Sequence, residues 1–359
     1  VAFGLALLAT PLVRLLAYRL GIVDRPDALL KPHRRPVAYL GGVGICLGIL
    51  AGLAAVIALT PDVMSLARRL GAALAGGDLS ALLHNPLWNL LAVALGCIVI
   101  TAVGLLDDVR GLRPRTKVAG QLLAAVVLLA GGVGHRTAVI VLEPVGLADV
   151  PWLLYPLSAA ALAVLVIAVC NASNLLDGLD GLCSGVTAVV ALGFLALAVW
   201  LAMWPNPDSF NDLRVGLALA TVGAVLGFLP YNLPPASIFM GDAGSMLLGF
   251  FVAAMTAMFA QQPNYGRWLL GSLVVFAIPI TDTALAVVRR RRAGRSIFTG
   301  DRSHLYDQLV DRGMTVRRVV MLFYGMSLAA AVLGVILAIV VRLRYAAAIC
   351  VVLAGALAW

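Results

Sequence analysis

Three aspartate-rich clusters stand at the ends of long apolar runs: Gly104-Leu105-Leu106-Asp107-Asp108, the stretch from Asn171 to Gly181, and Gly241-Asp242-Ala243-Gly244-Ser245. In so apolar a chain, carboxylates gathered at segment ends point to a polar reaction site at a membrane surface. Adjacent carboxylates such as Asp107 and Asp108 project in different directions in helix or strand. One can therefore face a metal or a nucleophile while a basic neighbour, from Arg110, Arg113, Arg115 or Lys117, holds the other. Lys117 and Gln121 are spaced i, i+4 and share a face of the next helix. A solvated loop whose charges only fix topology is the plainer alternative.

The second cluster is more specific. Asn171, Asn174 and Asp177 recur every three residues, so a helical continuation aligns them as one polar stripe, and Gly178 and Gly181 then let the chain turn around Asp180. Two amides and two carboxylates offer hard oxygen ligands and hydrogen bonds to a base edge. In the third cluster Asp242 precedes an apolar helix, where aspartate is a favoured N-cap. Gly241 and Gly244 also open the helix N-terminus in the manner of a phosphate site, and Asp242 can meet a divalent cation there.

A fourth region holds Asp282 inside an apolar run, Arg289 to Arg292, and Gly300-Asp301-Arg302-Ser303-His304-Leu305-Tyr306-Asp307. An ionisable residue at that depth is expected to be functional or paired. His304 can touch a phosphate or serve as a plain surface histidine. The chain has four histidines and no clustered cysteines, and of its seventeen acidic residues only Glu143 is a glutamate. This donor set favours Mg²⁺, with Mn²⁺ as the alternative, over zinc or copper. Carboxylates, a hard cation, opened helix termini and basic residues together describe phosphoryl transfer, with a lipid as one phosphorylated partner.

The elements that must position these residues are membrane helices. With 62% hydrophobic and 12% charged residues the chain takes lipid as its main solvent. Apolar runs near 1–18, 38–60, 87–106, 117–133, 152–170, 183–204, 213–230, 244–260, 268–288, 319–341 and 344–359 predict an all-α, polytopic integral membrane protein of 10 to 11 transmembrane helices. The fourth and last runs are short. Continuous rather than alternating apolarity argues against a barrel. One transmembrane domain over 1–359 is the economical reading, with an amphipathic surface segment from Leu66 to Asn85. Most of the 26 Lys and Arg residues fall in the loops after odd-numbered runs, which places those loops, and all three clusters, in the cytoplasm. The net charge of +9 suits anionic headgroups and anionic substrates. Cys46, Cys97, Cys170, Cys183 and Cys350 show no metal-ligand spacing and are expected as small core residues. The chain opens at Val1 and stops at Trp359 inside an apolar run, which suggests an incomplete stretch.

These motifs, from about Asp24 to Asp311, resemble the polyprenyl-phosphate N-acetylhexosamine-1-phosphate transferase superfamily, glycosyltransferase family 4. The resemblance implies transfer of a sugar 1-phosphate from a UDP-sugar to a polyprenyl phosphate, at the inner membrane of a cell, in the first membrane step of envelope polysaccharide synthesis. It implies that one of Asp107 and Asp108 is a base or organiser for the lipid phosphate, with Lys117 beside it. Asn171, Asn174, Asp177 and Asp180 match the nucleotide- and metal-binding stretch, and Asp242 the Mg²⁺ ligand, assisted by Asn174. Asn232 and Phe239 look like uridine contacts, Phe239 by stacking on the base.

Pro279-Ile280-Thr281-Asp282-Thr283, Arg289-Arg290 and Gly294-Arg295-Ser296-Ile297-Phe298 resemble the O-antigen and teichoic-acid initiating branch, so UDP-N-acetylglucosamine is the leading donor. One departure stands out. Where that branch carries His-x-His-His, this chain has His304-Leu305-Tyr306-Asp307, and Arg302 or Arg295 is the candidate to replace the lost cationic contact. The expected partners are the UDP-sugar, the polyprenyl phosphate, membrane lipids and, as a candidate, a second copy in a homodimer, with no nucleic-acid polymer. The competing expectation is a secondary transporter whose intramembrane carboxylates bind ions or protons.

Overall fold

A computed structural model describes residues 1–24, 36–60, 63–203, 210–262, 265–294 and 304–340. The chain begins with α1 (Ala2–Leu20) and a two-stranded antiparallel ribbon, β1 (Val23–Asp24) with β2 (Val37–Ala38), in which Val23 pairs Ala38 and Asp24 pairs Val37. Then come α2 (Gly41–Leu59), α3 (Val63–Gly76), α4 (Leu79–Leu83), α5 (Pro86–Arg110), α6 (Pro114–Ala130), α7 (Val139–Leu142), α8 (Pro151–Leu176) and α9 (Leu182–Ala202). The remainder is α10 (Asn211–Asn232), α11 (Gly241–Phe259), α12 (Tyr265–Val275), α13 (Ala277–Arg292), α14 (Leu305–Asp311) and α15 (Val316–Ile339).

Eight of these helices, α1, α2, α5, α8, α9, α10, α11 and α15, are long and apolar enough to cross a membrane. The pair α12 and α13 makes a ninth span if counted together, but it bends by 76° at Phe276. The expected fourth span is α6, which at 17 residues is at the lower limit of a crossing, and the expected run at 344–359 lies outside the described residues. Asp282 sits on α13, after the bend, and is paired there as expected, as shown below.

Local signals start and stop the helices that carry the site. The Asn85 side chain accepts the N–H groups of Leu87 and Trp88 and Pro86 occupies the first turn, so α5 begins there. It ends at Gly111, whose left-handed backbone lets its N–H reach the Asp107 carbonyl. The amphipathic segment forms α3 and α4, the latter capped by Asp78. At the centre of the bundle lies α11, buried over almost its whole length and packed on α2, α5 and α8. Burying α11 places its N-terminus, with Asp242, where the ends of α5 and α8 meet. One continuous apolar core joins these helices and contains Cys46, Cys97, Cys170 and Cys183 as buried free thiols. Cys350 lies outside the described residues.

Candidate active site

Asp242, at the start of α11, is the hub. Lys117, in the first turns of α6, bridges its carboxylate and that of Asp107 at the end of α5, the latter at 2.8 Å. From α8 the Asn174 amide donates to Asp242 Oδ1 at 2.7 Å and to Ser245 Oγ at 3.0 Å. The backbone N–H groups of Asp242 and Ala243 donate to the two oxygens of Asp108 at 2.7 and 3.1 Å. Four helices therefore meet at one carboxylate.

The contact with Asp108 revises how the third cluster works. Asp242 does not cap α11; the helix begins after Met240, which supplies no side-chain cap, and Asp108 caps it from 134 residues away in sequence. The N-terminal amides that a phosphate would take are thus already engaged by a carboxylate. At Gly241, the first residue of α11, a Cβ would stand 2.5 Å from Asp108 Oδ2, so any side chain there would push the cap out. Asp108→Ala should cost about 1–2 kcal/mol of stability, as expected for a lost cap. A lowered melting temperature of the purified protein in detergent, with Asp108→Asn falling between wild type and Ala, is the expected result.

The polar stripe of α8 is present but divided. Asn174 turns to Asp242, whereas Asn171 donates to Gln121 Oε1 at 3.2 Å and to the Ile167 carbonyl at 2.7 Å, joining α8 to α6. Asp177 ends the helix. Burial, and then the carboxylates of Asp242, Asp108 and Asp180, hold its carboxyl well above the usual carboxylate range. Asp180 accepts the Ala236 N–H at 2.8 Å, which fixes the loop after α8 to the segment before α11.

Residues that the sequence did not mark as site residues also line the site. A cavity of about 510 Å³ is bounded by Asp107, Asp108 and Asp242 together with Asp24, Tyr39, Ile22 and neighbouring backbone. The Tyr39 ring meets Phe239 edge-on, with centroids 6.2 Å apart. Burial, and then Asp108, Asp242, Asp177 and Asp24, raise its phenol above the ordinary value, so it stays a neutral hydrogen-bond donor among carboxylates. A lone tyrosine between β2 and α2 carries no sequence signal for this; only the parallel bridge between Ala38 and Ile238 brings it beside Phe239.

Not every expected contact faces this cavity. Asn232 is 3% exposed; it accepts the Ser184 hydroxyl at 2.7 Å and donates to the Ile238 carbonyl at 3.1 Å. Its amide holds the scaffold together through these two bonds, and Asn232 is not among the residues that line the cavity. His304 is likewise buried, with Nδ1 2.7 Å from Asp282 Oδ2, while Asp282 Oδ1 accepts the Leu305 N–H at 2.8 Å. That pairing accounts for Asp282. Arg302 and Arg295 lie outside the described residues.

The donor set suits a hard divalent cation. Asn174 donates to Asp242 Oδ1, and the Asp177 carboxyl is raised first by burial and then by the charges of Asp242, Asp108 and Asp180, carboxylates whose charge a cation would offset. Among the described residues no three His, Cys, Asp or Glu groups close into a cage. A cation here would therefore take its remaining ligands from water or substrate, as Mg²⁺ usually does.

Residues 90–260, which span all three aspartate clusters, match the family described as Glycosyl transferase family 4. A decaprenyl-phosphate N-acetylglucosaminephosphotransferase of Mycobacterium tuberculosis (strain ATCC 25618 / H37Rv) is 36% identical over 330 residues, covering 88% of this chain and 76% of that protein. This chain belongs to glycosyl transferase family 4. Two further relatives of the family mark its breadth. A probable undecaprenyl-phosphate N-acetylglucosaminyl 1-phosphate transferase of Bacillus subtilis (strain 168) is 28% identical over 320 residues, 89% of this chain and 78% of that protein. A phospho-N-acetylmuramoyl-pentapeptide-transferase of Mycobacterium leprae (strain TN) is 32% identical over 364 residues, 94% of each chain.

Proposed function

We propose that this family member transfers a sugar 1-phosphate, with N-acetylglucosamine 1-phosphate as the leading group, from a UDP-sugar to a polyprenyl phosphate. The products are a polyprenyl-diphospho-sugar and UMP, and the site faces the cytoplasm. The observation that carries this reading is the meeting of Asp107, Lys117, Asn174 and the Asp108-capped N-terminus of α11 at Asp242. The relatives' names supply the substrate classes, and none of the three is named as a transporter. The carboxylates stand at helix ends and Asp282 is paired with His304, so a transporter reading has no structural support.

In the proposed reaction an oxygen of the lipid phosphate attacks the β-phosphorus of the donor. The bond from that phosphorus to the bridging oxygen breaks, and UMP leaves with the oxygen and its electron pair. Asp242 and Asp177, with Asn174 alongside, would hold a divalent cation, Mg²⁺ or Mn²⁺, which when bound neutralises the diphosphate. Lys117 offers its ammonium to the incoming phosphate. Asp107, tied to Lys117 and to the Leu112 N–H at 2.6 Å, acts as an organiser and not as a base. Phe239 and Tyr39 border the donor, Phe239 stacking on the base and Tyr39 donating its hydroxyl to a phosphate oxygen.

Two predictions follow from these roles. Asp107→Asn should lower the rate without shifting the acidic limb of the pH profile, because an organiser removes no proton; a shifted limb would make it a base. Tyr39→Phe should reduce kcat/KM about tenfold, the effect of losing one hydrogen bond to a charged group. The reading as a whole is tested with purified protein, polyprenyl phosphate and a panel of labelled UDP-sugars, with and without chelator. Lipid-extractable label from UDP-N-acetylglucosamine, lost on chelation and restored by Mg²⁺, supports it. Uptake into vesicles without lipid labelling would contradict it.

A further inference from the structure

Tyr306 stands where the related branch carries a histidine, yet it is turned inward and only 5% exposed. Its hydroxyl donates to the Leu175 carbonyl at 3.0 Å, one of the last-turn carbonyls of α8 that the helix itself leaves unpaired. The ring lies against Gly178, where a Cβ would come 2.3 Å from the tyrosine oxygen. On one side it stacks on His304, with centroids 5.5 Å apart and planes 5° apart, and on another it meets Phe323 of α15 at 6.4 Å. His304 is itself pinned to Asp282 of α13.

We propose that Tyr306 is a positioning residue that locks the Asp177 to Asp180 turn to the His304–Asp282 pair, and is not a diphosphate contact. The opposite side of the same turn is held by Tyr324 of α15, whose hydroxyl donates to the Gly181 carbonyl at 2.6 Å while its ring fills the space beside Gly185. The turn is therefore gripped between two phenols, with Asp180 tied to Ala236 as a third anchor. Through Tyr306 the placement of Asp177 depends on α13 and α14, elements more than 100 residues away in sequence. Gly178 belongs to the same device, because it makes room for the ring. A histidine at 306 has a shorter side chain and cannot span from the His304 ring to the Leu175 carbonyl. In this chain the substitution exchanges a cationic loop residue for a rigid strut.

The consequence for catalysis rests on the proposed transferase reading, in which Asp177 serves the donor side. The test uses the full chain in detergent, with Tyr306→Phe, Tyr306→His and Gly178→Ala compared by steady-state kinetics and by amide hydrogen exchange of residues 177–181. Tyr306→Phe should raise the KM for UDP-N-acetylglucosamine about 3- to 10-fold, as expected for one lost hydrogen bond, and leave the KM for polyprenyl phosphate unchanged. Exchange in the turn should accelerate by a similar factor while α5 and α11 keep their protection. Tyr306→His and Gly178→Ala should exceed Tyr306→Phe in both readouts. A raised donor KM with unaltered exchange, or a histidine variant that binds donor more tightly than wild type, would overturn the proposal. If the wild-type chain transfers no sugar phosphate, the transferase reading fails, and the exchange measurement still decides whether the strut exists.

Discussion

Asp242→Asn is expected to lower kcat by about three orders of magnitude, the scale of losing one preorganised charge at a phosphoryl-transfer site. Asparagine keeps the shape of the side chain and the backbone N–H that Asp108 holds, so α11 should stay capped and the fold intact. What is lost is the negative charge that faces Lys117 and accepts from Asn174. A nearly unchanged melting temperature beside an almost inactive enzyme is the combined result to look for. A variant within tenfold of wild type would remove Asp242 from the centre of the site.

Lys117→Met should reduce kcat/KM by about a hundredfold or more. The ammonium stands between Asp107 and Asp242, so its removal leaves two partly enclosed carboxylates facing one another without a cation. The defect should be partly relieved by raising Mg²⁺, because a divalent cation can replace some of the missing positive charge. Lys117→Arg should recover only a fraction of the activity. A planar guanidinium cannot occupy the same point between two carboxylates as a compact ammonium. Kinetics at several Mg²⁺ concentrations check both statements, and full activity of the arginine variant would show that charge alone suffices.

Much of this site was legible in the sequence because its residue types are costly in lipid. Asp107, Asp108, Asp242 and the Asn174 to Asp180 stretch stood out as polar groups at the ends of apolar runs, and the i, i+4 pair of Lys117 and Gln121 does face inward, Lys117 to Asp242 and Gln121 to Asn171. Long-range relations were not legible. Nothing local shows that Asp108 would cap a helix 134 positions later, or that Asn232 would bond to Ser184 and Ile238. Tyr39 carries no local signal for a place in the site; a backbone bridge between Ala38 and Ile238 brings it beside Phe239. Hydropathy marks Asp282 as a residue that must be functional or paired, and it is paired with His304, but hydropathy alone does not show the 76° bend at Phe276. The all-α polytopic reading holds; among the described residues eight helices, or nine with the bent pair, are long and apolar enough to cross, α6 has 17 residues, and the run at 344–359 lies outside them.

The most direct test of the central claim follows the donor's β-phosphate. With UDP-N-acetylglucosamine labelled at that phosphorus, polyprenyl phosphate and Mg²⁺, the account predicts that label enters the lipid fraction in equal amount to the UMP released, and that Asp242→Asn abolishes both. Release of labelled UDP with unlabelled lipid, or undiminished transfer by Asp242→Asn, would contradict it.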